Sequence, residues 1–209
     1  MLRILIADDH TVVRKGLRQI LLDEFPAAII EEVADAEELI KKVMAAQWDV
    51  VVSDLSMPGR SGLDALQQIK LIYPDLPVLI LSIHPEEQYA LRALKSGASG
   101  YLSKDTAPDE LVKAVKKVLL GKKYISQSIA EKLVNTFSSN TDRNPHENLS
   151  DREFDVMKLL ANGKSVSEIA DILSLSVTTV STYRARVMVK MDMKSNSDLT
   201  KYAIEHRLL

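Results

Sequence analysis

The chain has 209 residues, 46% of them hydrophobic and only 5% aromatic, and its 27 Lys and Arg against 29 Asp and Glu leave a formal net charge of −2. This length allows one large or two modest domains packed mainly by aliphatic side chains, and the near balance of charge provides no global basic field for polyanions. With no Cys at all, disulfide scaffolds, cysteine zinc sites and thiol chemistry are excluded, which fits a reducing cytoplasm.

The first run, Met1-Leu-Arg-Ile-Leu-Ile-Ala7, is too short for a signal peptide or membrane span and leads into Asp8-Asp9. Its Ile4–Ala7 stretch is expected to be a strand, followed by a helical pattern over Val12 to Leu22. Ile29, Ile30 and Val33 suggest a second strand. Asp35-Ala-Glu-Glu38 then caps a helix carrying Leu39, Ile40, Val43 and Met44. Val50–Val52 is the third strand, and Leu63, Leu66, Ile69 and Ile72 mark the helix after it. Pro77–Leu81 is the fourth, followed by a helix over Glu86 to Lys95 that stops at Gly97. Tyr101-Leu102 is a short fifth strand, and Thr106-Ala-Pro-Asp109 is expected to cap a last helix through Leu120. Five β-α units with nearly continuous apolar strands predict a doubly wound α/β domain: a five-stranded parallel sheet covered by helices on both faces.

After Gly121 the pattern changes. Ser126 to Phe137 allows one short helix, and 138–148 contains no apolar residue, as a tether would. Beyond it the signals are all helical. Ser150-Asp-Arg-Glu153 and Ser165-Val-Ser-Glu168 are Ser-x-x-Glu capping boxes, and Ser176 and Ser195 are ready N-caps. Helices are therefore expected over Asp151–Ala161, Val166–Leu173, Val177–Met191 and Asn196–Glu205. The middle pair, separated by Ser174-Leu-Ser176, forms a helix-turn-helix unit in a small all-α domain. The expected division is 1–120, a linker over 121–148, and 149–209.

In an open parallel sheet, ligands bind at the carboxyl ends of the strands near the point where strand order reverses. Here those ends deliver Asp8 and Asp9, Asp54, Ser82, and through Ser103 the ammonium of Lys104. Asp54 alone, before Met57-Pro58-Gly59, would be taken for a turn-former. Three carboxylates, a hydroxyl and an ammonium around one crevice point to function instead. Crowded carboxylates repel unless a cation joins them, and an all-oxygen ligand set selects a hard ion such as Mg²⁺. Aspartate also serves as a phosphoryl-accepting nucleophile, and Lys104 is placed to pair with the transferred group. The chain has no Gly-x-x-x-x-Gly-Lys-Ser/Thr loop, so the phosphoryl group comes from another molecule. The competing possibility is a Mg²⁺-dependent phosphohydrolase with an aspartyl-phosphate intermediate. Such enzymes use Asp-x-Asp, and here the second position is Ser56. His10, His84, His146 and His206 show no metal-ligand spacing and are expected at the surface.

Asp8-Asp9, the 53–59 stretch Ser-Asp-Leu-Ser-Met-Pro-Gly, Leu-Ser82 and Gly100-Tyr-Leu-Ser-Lys104 together resemble the receiver domain of bacterial two-component response regulators over about residues 1 to 120. The resemblance implies that a sensor histidine kinase phosphorylates Asp54. It also implies that Asp9, Asp54 and the Ser56 carbonyl bind Mg²⁺, with Asp8 acting through a water. Ser82 would swing toward the phosphoryl group and Tyr101 would turn inward. Receivers often carry Pro after the lysine; here Asp105 follows it.

In the C-terminal segment nine Lys and Arg meet eight Asp and Glu, yet Arg184, Arg186, Lys190 and Lys194 cluster along one helix. Such a stripe suits phosphate contacts. Val180, Val187 and Met191 should face the core. Thr178, Ser181, Thr182, Ala185 and Val189, with Arg186 beside them, then form a face of small hydroxyls and methyls able to enter a major groove. Leu149-Ser-Asp-Arg-Glu153, Leu159-Leu-Ala-Asn-Gly163, Glu168-Ile-Ala170, Ser176-Val-Thr-Thr-Val180 and Lys190 resemble the LuxR-type (NarL/FixJ) DNA-binding domain. Ser181 and Tyr183 stand where that family commonly has Lys and His. The resemblance implies double-stranded DNA as a partner, contacts from Thr178, Ser181, Thr182, Arg184, Arg186 and Lys190, and a homodimer on activation through the helix from about Asn196.

Overall fold

The computed structural model describes residues 1–57, 60–126, 129–131 and 144–209, which fall into two compact units, Met1–Ser139 and Asn140–Leu209. In the first, strands β1 (Arg3–Ala7), β2 (Ile29–Val33), β3 (Val50–Asp54), β4 (Val78–Ser82) and β5 (Gly100–Ser103) alternate with helices α1 (Thr11–Glu24), α2 (Ala36–Ala45), α3 (Gly62–Ile72), α4 (Glu86–Lys95) and α5 (Ala107–Leu119). The sheet is wholly parallel in the order β2-β1-β3-β4-β5. Helices α1 and α5 neighbour each other, as do α2 and α3.

Burial follows from this layering. Every residue of β3 and β4 is buried, because a parallel sheet needs crossover helices and those helices cover both faces. Ile4, Ile6, Val50, Val52, Leu79 and Leu81 pack with Leu17 and Leu21 of α1 and with Leu111, Val115 and Val118 of α5. Edge strand β2 instead carries Glu31 and Glu32, half-exposed and ion-paired to Lys42 and Arg14, charges that discourage a further strand from adding there.

Register brings the strand ends to one level: Ala7 pairs with Ser53, Asp54 with Leu81, and Ser82 with Ser103. The reversal of strand order lies between β1 and β3, the strands that lead to Asp8 and Asp54. Helix α2 starts as expected, with Asp35 accepting from the Glu38 N–H, and α4 gives way to Gly97 at φ +100°. Thr106 departs from expectation. It is already helical, at φ −96° and ψ −9°, and makes no cap to the α5 backbone. Its hydroxyl turns instead to Glu110 and the Ser103 carbonyl, leaving Pro108 in the first turn to start the helix.

The second unit begins with a short 3-10 turn, Pro145–Asn148, at the end of the expected tether. Most of the helix anticipated over 126–137 lies outside the described residues. Four helices follow: α6 (Asp151–Ala161), α7 (Val166–Leu173), α8 (Val177–Met191) and α9 (Asn196–Glu205). Both Ser-x-x-Glu boxes form, and Ser195 with Asp198 makes a third. Ser174, in the left-handed region at φ 53°, turns α7 into α8. Phe154, Met157, Leu160, Ile169, Val180, Val187, Met191, Leu199 and Ala203 are buried between these helices. Burying each of the larger side chains fully stabilises this small unit by about 1.5–3 kcal/mol.

Candidate functional site

Three strand ends converge on one pit. Asp8, the first residue beyond β1, has no exposed surface, and Asp54, the last residue of β3, keeps 3%. Lys104 follows β5 and is fixed there by its own N–H, which donates to the Ser82 carbonyl at 2.8 Å. Its ammonium lies 2.7 Å from Asp8 Oδ2 and 2.8 Å from Asp54 Oδ2, so one cation bridges two buried carboxylates. Asp54 Oδ1 accepts from the Ser56 N–H at 3.2 Å.

The charges are poised against one another. Burial pushes the Asp54 carboxyl above the ordinary Asp value, although Lys104 pulls the other way. For Lys104 burial is the largest single influence and favours the neutral amine, but hydrogen bonds and attraction from Asp54 and Asp8 together outweigh it, and its pKa rises. One positive charge therefore faces two buried acids, with Asp9 beside them.

The pit suits a small hard cation. Oxygens of Asp8, Asp9 and Asp54 and a ring nitrogen of His10 all lie within 4.8 Å of one another. Asp8 Oδ2 and Asp9 Oδ1 are buried oxygens that make no well-aligned hydrogen bond, though Lys104 and His10 approach them. Oxygens with unspent lone pairs turned to a common space are what a divalent ion needs. Ser56 is exposed beside the pit.

Two histidines expected at the surface border this site, His10 exposed as anticipated and His84 half-buried. His10 Nδ1 lies 2.6 Å from Asp9 Oδ1, and its N–H donates to Asp8 Oδ1 at 2.8 Å. His84 Nε2 is hydrogen-bonded to Ser56 Oγ at 2.8 Å, and its ring stacks on Tyr89 with centroids 4.8 Å apart. The sequence did hold a signal for the second pair, because Ser56 and His84 each stand two residues past a strand end. Ser82, fully buried, accepts from the His84 N–H at 3.0 Å. Tyr101, expected to move inward, is buried, and its hydroxyl donates to the His84 carbonyl at 3.0 Å.

In the second unit α8 divides as its sequence suggested. Val180, Val187 and Met191 are buried, whereas Thr178, Ser181, Thr182, Ala185, Arg186 and Val189 are exposed together. The hydroxyls of Ser181 and Thr182 donate to the carbonyls of Val177 and Thr178 one turn back. Two expected contacts have partners inside the domain. Arg184 Nε donates to Asn196 Oδ1 at 3.1 Å, and the Lys190 ammonium sits 2.6 Å from Glu153, a residue 2% exposed.

The receiver family, described as response regulator receiver domain, matches residues 4–116, and the luxR family of bacterial regulatory proteins matches 147–203. This chain is a LuxR-type DNA-binding response regulator. The oxygen regulatory protein NreC of Staphylococcus carnosus is 39% identical to the regulator across 100% of it and 99% of NreC. The response regulator UvrY of Escherichia coli K12 is 35% identical across 100% of this chain and 96% of UvrY. Among solved structures, RcsB from Salmonella enterica serovar Typhimurium, bound to promoter rprA with the phosphomimetic BeF3−, has a TM-score of 0.61 and 27% identity, covering 97% of the regulator and 98% of RcsB.

The Glu153–Lys190 pair is expected to make the stability of the regulator's second unit fall in acid. Burial alone would raise the Glu153 carboxyl, but Lys190 and the Ser150 N–H and hydroxyl more than reverse this and hold it below the ordinary Glu value. A carboxyl lowered in the folded state contributes stability above its unfolded value, and that stability is lost as pH falls through the folded one. Replacing Lys190 by Ala is expected to cost about 1–2 kcal/mol at neutral pH, since the lysine is partly hydrated. The difference should shrink on acidification, as shown by urea midpoints of wild type and variant from about pH 7 to 3.

Proposed function

We propose that a sensor histidine kinase transfers a phosphoryl group to Asp54, and that this event sets the regulator's DNA affinity. The N–P bond to the kinase histidine breaks as a bond forms from an Asp54 carboxylate oxygen to phosphorus. Lys104, placed between Asp8 and Asp54, leaves the Asp54 oxygen to pair with the incoming phosphoryl oxygens. Asp8, Asp9, Asp54 and the Ser56 carbonyl would hold Mg²⁺, which supplies charge neutralisation to the transfer. The buried Ser82 hydroxyl lies on the same rim and would hydrogen-bond the phosphoryl group. Tyr101, tied to the β4–α4 loop through His84, would carry the change to the surface of the fourth and fifth units. The product is a cytoplasmic homodimer reading two half-sites through Thr178, Ser181, Thr182, Arg184, Arg186 and Lys190. A working division is 1–120 for the receiver, 121–148 for the linker and 149–209 for the DNA-binding domain.

The observation that carries this proposal is the lysine bridging two buried carboxylates at the switch point of a parallel sheet. The binding of promoter DNA by RcsB in the presence of a phosphomimetic supports the coupling of site to DNA. Incubation with acetyl phosphate and Mg²⁺ should add one phosphoryl group to wild type and none to Asp54→Asn, read by intact mass. DNA affinity should rise only for wild type. Asp54→Asn should also be more stable than wild type by about 0.5–2 kcal/mol without divalent ions, because it removes a charge that burial disfavours. Absence of phosphoryl uptake by wild type would reject the proposal.

A further inference from the structure

We infer that Arg14 is a positioning residue for the divalent-ion site: its guanidinium holds the Asp8-Asp9 peptide so that the Asp9 carboxylate faces the pit. This rests on the pit holding Mg²⁺ and adds a residue outside the ligand set that governs the ion's affinity.

Asp8 stands one residue past the last paired position of β1. There Arg14 Nη1 donates to the Asp8 carbonyl, and Nη2 donates to Thr11 Oγ1 at 3.2 Å. Two residues on from Asp8, the His10 N–H donates to Asp8 Oδ1 at 2.8 Å and closes an Asx turn. Asp9 therefore sits between two held peptides, the one before it fixed by Arg14 and the one after it by the Asp8 carboxylate. A peptide unit is planar, so fixing the Asp8 carbonyl also fixes the Asp9 N–H and the direction in which the Asp9 Cα leaves. Asp9 needs this support most. Lys104 grips Asp8 and Asp54 directly, whereas among the described residues the Asp9 carboxylate has only the neighbouring His10 ring as an ionic partner.

Arg14 is itself pinned. Its side chain is 13% exposed, with Nε 3.6 Å from Glu32 Oε2 on edge strand β2, and Glu32 Oε1 lies 3.5 Å from Arg18 Nε. Helix α1 gains nothing from the guanidinium. It has no side-chain cap and no acidic residue in its first turn, and a cation bent back over that end opposes the helix dipole. The turn before the helix is what the guanidinium serves. Charge and positioning then make opposite predictions. A cation near the pit repels Mg²⁺, so charge alone predicts tighter binding once Arg14 is removed. Release of the held peptide predicts weaker binding, by about 10-fold, the effect usual for a group that orients a metal ligand. Glu32 answers the charge of Arg14, so positioning governs.

The test compares full-length wild type, Arg14→Ala, Arg14→Lys and Thr11→Val. Mg²⁺ affinity is measured by titration calorimetry without a phosphodonor, and phosphoryl uptake from acetyl phosphate is timed by intact mass across Mg²⁺ concentrations. Arg14→Ala should weaken Mg²⁺ binding about 10-fold and shift the half-maximal Mg²⁺ for uptake by the same factor, with the rate at saturating Mg²⁺ unchanged. Arg14→Lys, whose ammonium still reaches the Asp8 carbonyl, should recover most of the loss. Thr11→Val keeps every charge and removes only the acceptor of Nη2, so it should weaken binding about 2-fold. Binding by Arg14→Ala as tight as wild type or tighter, or a slower saturated rate with affinity intact, would overturn the inference. If thermal unfolding shows Arg14→Ala to be unfolded, unchanged binding by Thr11→Val overturns it instead. If wild type binds no Mg²⁺, the ion site and the role of Arg14 fall together; if it binds and the variants match it, only Arg14 falls. Mg²⁺ affinities that shift as expected in a wild type that takes up no phosphoryl group would sink the proposed function alone.

Discussion

Gly62→Ala is expected to cost about 3–5 kcal/mol of receiver stability and to abolish phosphoryl uptake. A Cβ built on Gly62 would lie 1.9 Å from the Asp54 carbonyl oxygen and 3.1 Å from the Leu55 Cα. Both neighbours are backbone, so no rotamer change relieves the overlap. The strand end and the first turn of α3 must move apart instead. The Gly62 N–H, which donates to the Leu55 carbonyl at 2.9 Å, ties the same two segments, and separating them shifts Asp54. Gly16 provides the control. It lies within α1 with nothing inside 4 Å of a built Cβ, so Gly16→Ala should stabilise by about 0.5–1 kcal/mol. Urea unfolding of both variants, with acetyl phosphate uptake, checks the pair; equal midpoints would contradict the geometry.

Lys104→Ala should be nearly as damaging, for an electrostatic reason. Removing the ammonium leaves Asp8 and Asp54, both buried, facing each other without a countercharge. Stranding buried charge in this way costs about 3–5 kcal/mol. Two treatments should restore much of it. Millimolar Mg²⁺, on the proposed reading a ligand of the folded pit alone, should stabilise by mass action. Acid also helps: Asp54 already has a folded pKa above its ordinary value, so the folded state binds more protons and stability rises as pH falls through that folded value. Thermal unfolding of wild type and variant, with and without Mg²⁺ and across pH, reads all three effects. A variant as stable as wild type without Mg²⁺, or one that Mg²⁺ helps no more than wild type, would show that the lysine is not what makes the pit tolerable.

The sheet was legible because its strands are short apolar runs punctuated by Asp, Gly and Pro, and the C-terminal helices because each begins with a Ser whose hydroxyl caps its third residue. Thr106 misled because a side chain that resembles a cap has other acceptors within reach in three dimensions. The same limitation hid the contacts of the histidines. His10 was adjacent to two acids in sequence, but only the strand end of β1 shows that it leans on Asp9. The Glu153–Lys190 and Arg184–Asn196 pairs each join two different helices, and periodicity within one helix carries no trace of such partners.

The back-bonded hydroxyls of α8 bear on what any groove presents to this helix. Ser181 and Thr182 have given their protons to the turn behind them, so the atoms left facing outward are lone pairs and a methyl. Such a surface accepts from the exocyclic amines of cytosine and adenine and rests against thymine, but offers guanine nothing. Along this exposed stripe the guanidinium of Arg186 supplies what the hydroxyls of Ser181 and Thr182 cannot, donors with the geometry of guanine O6 and N7.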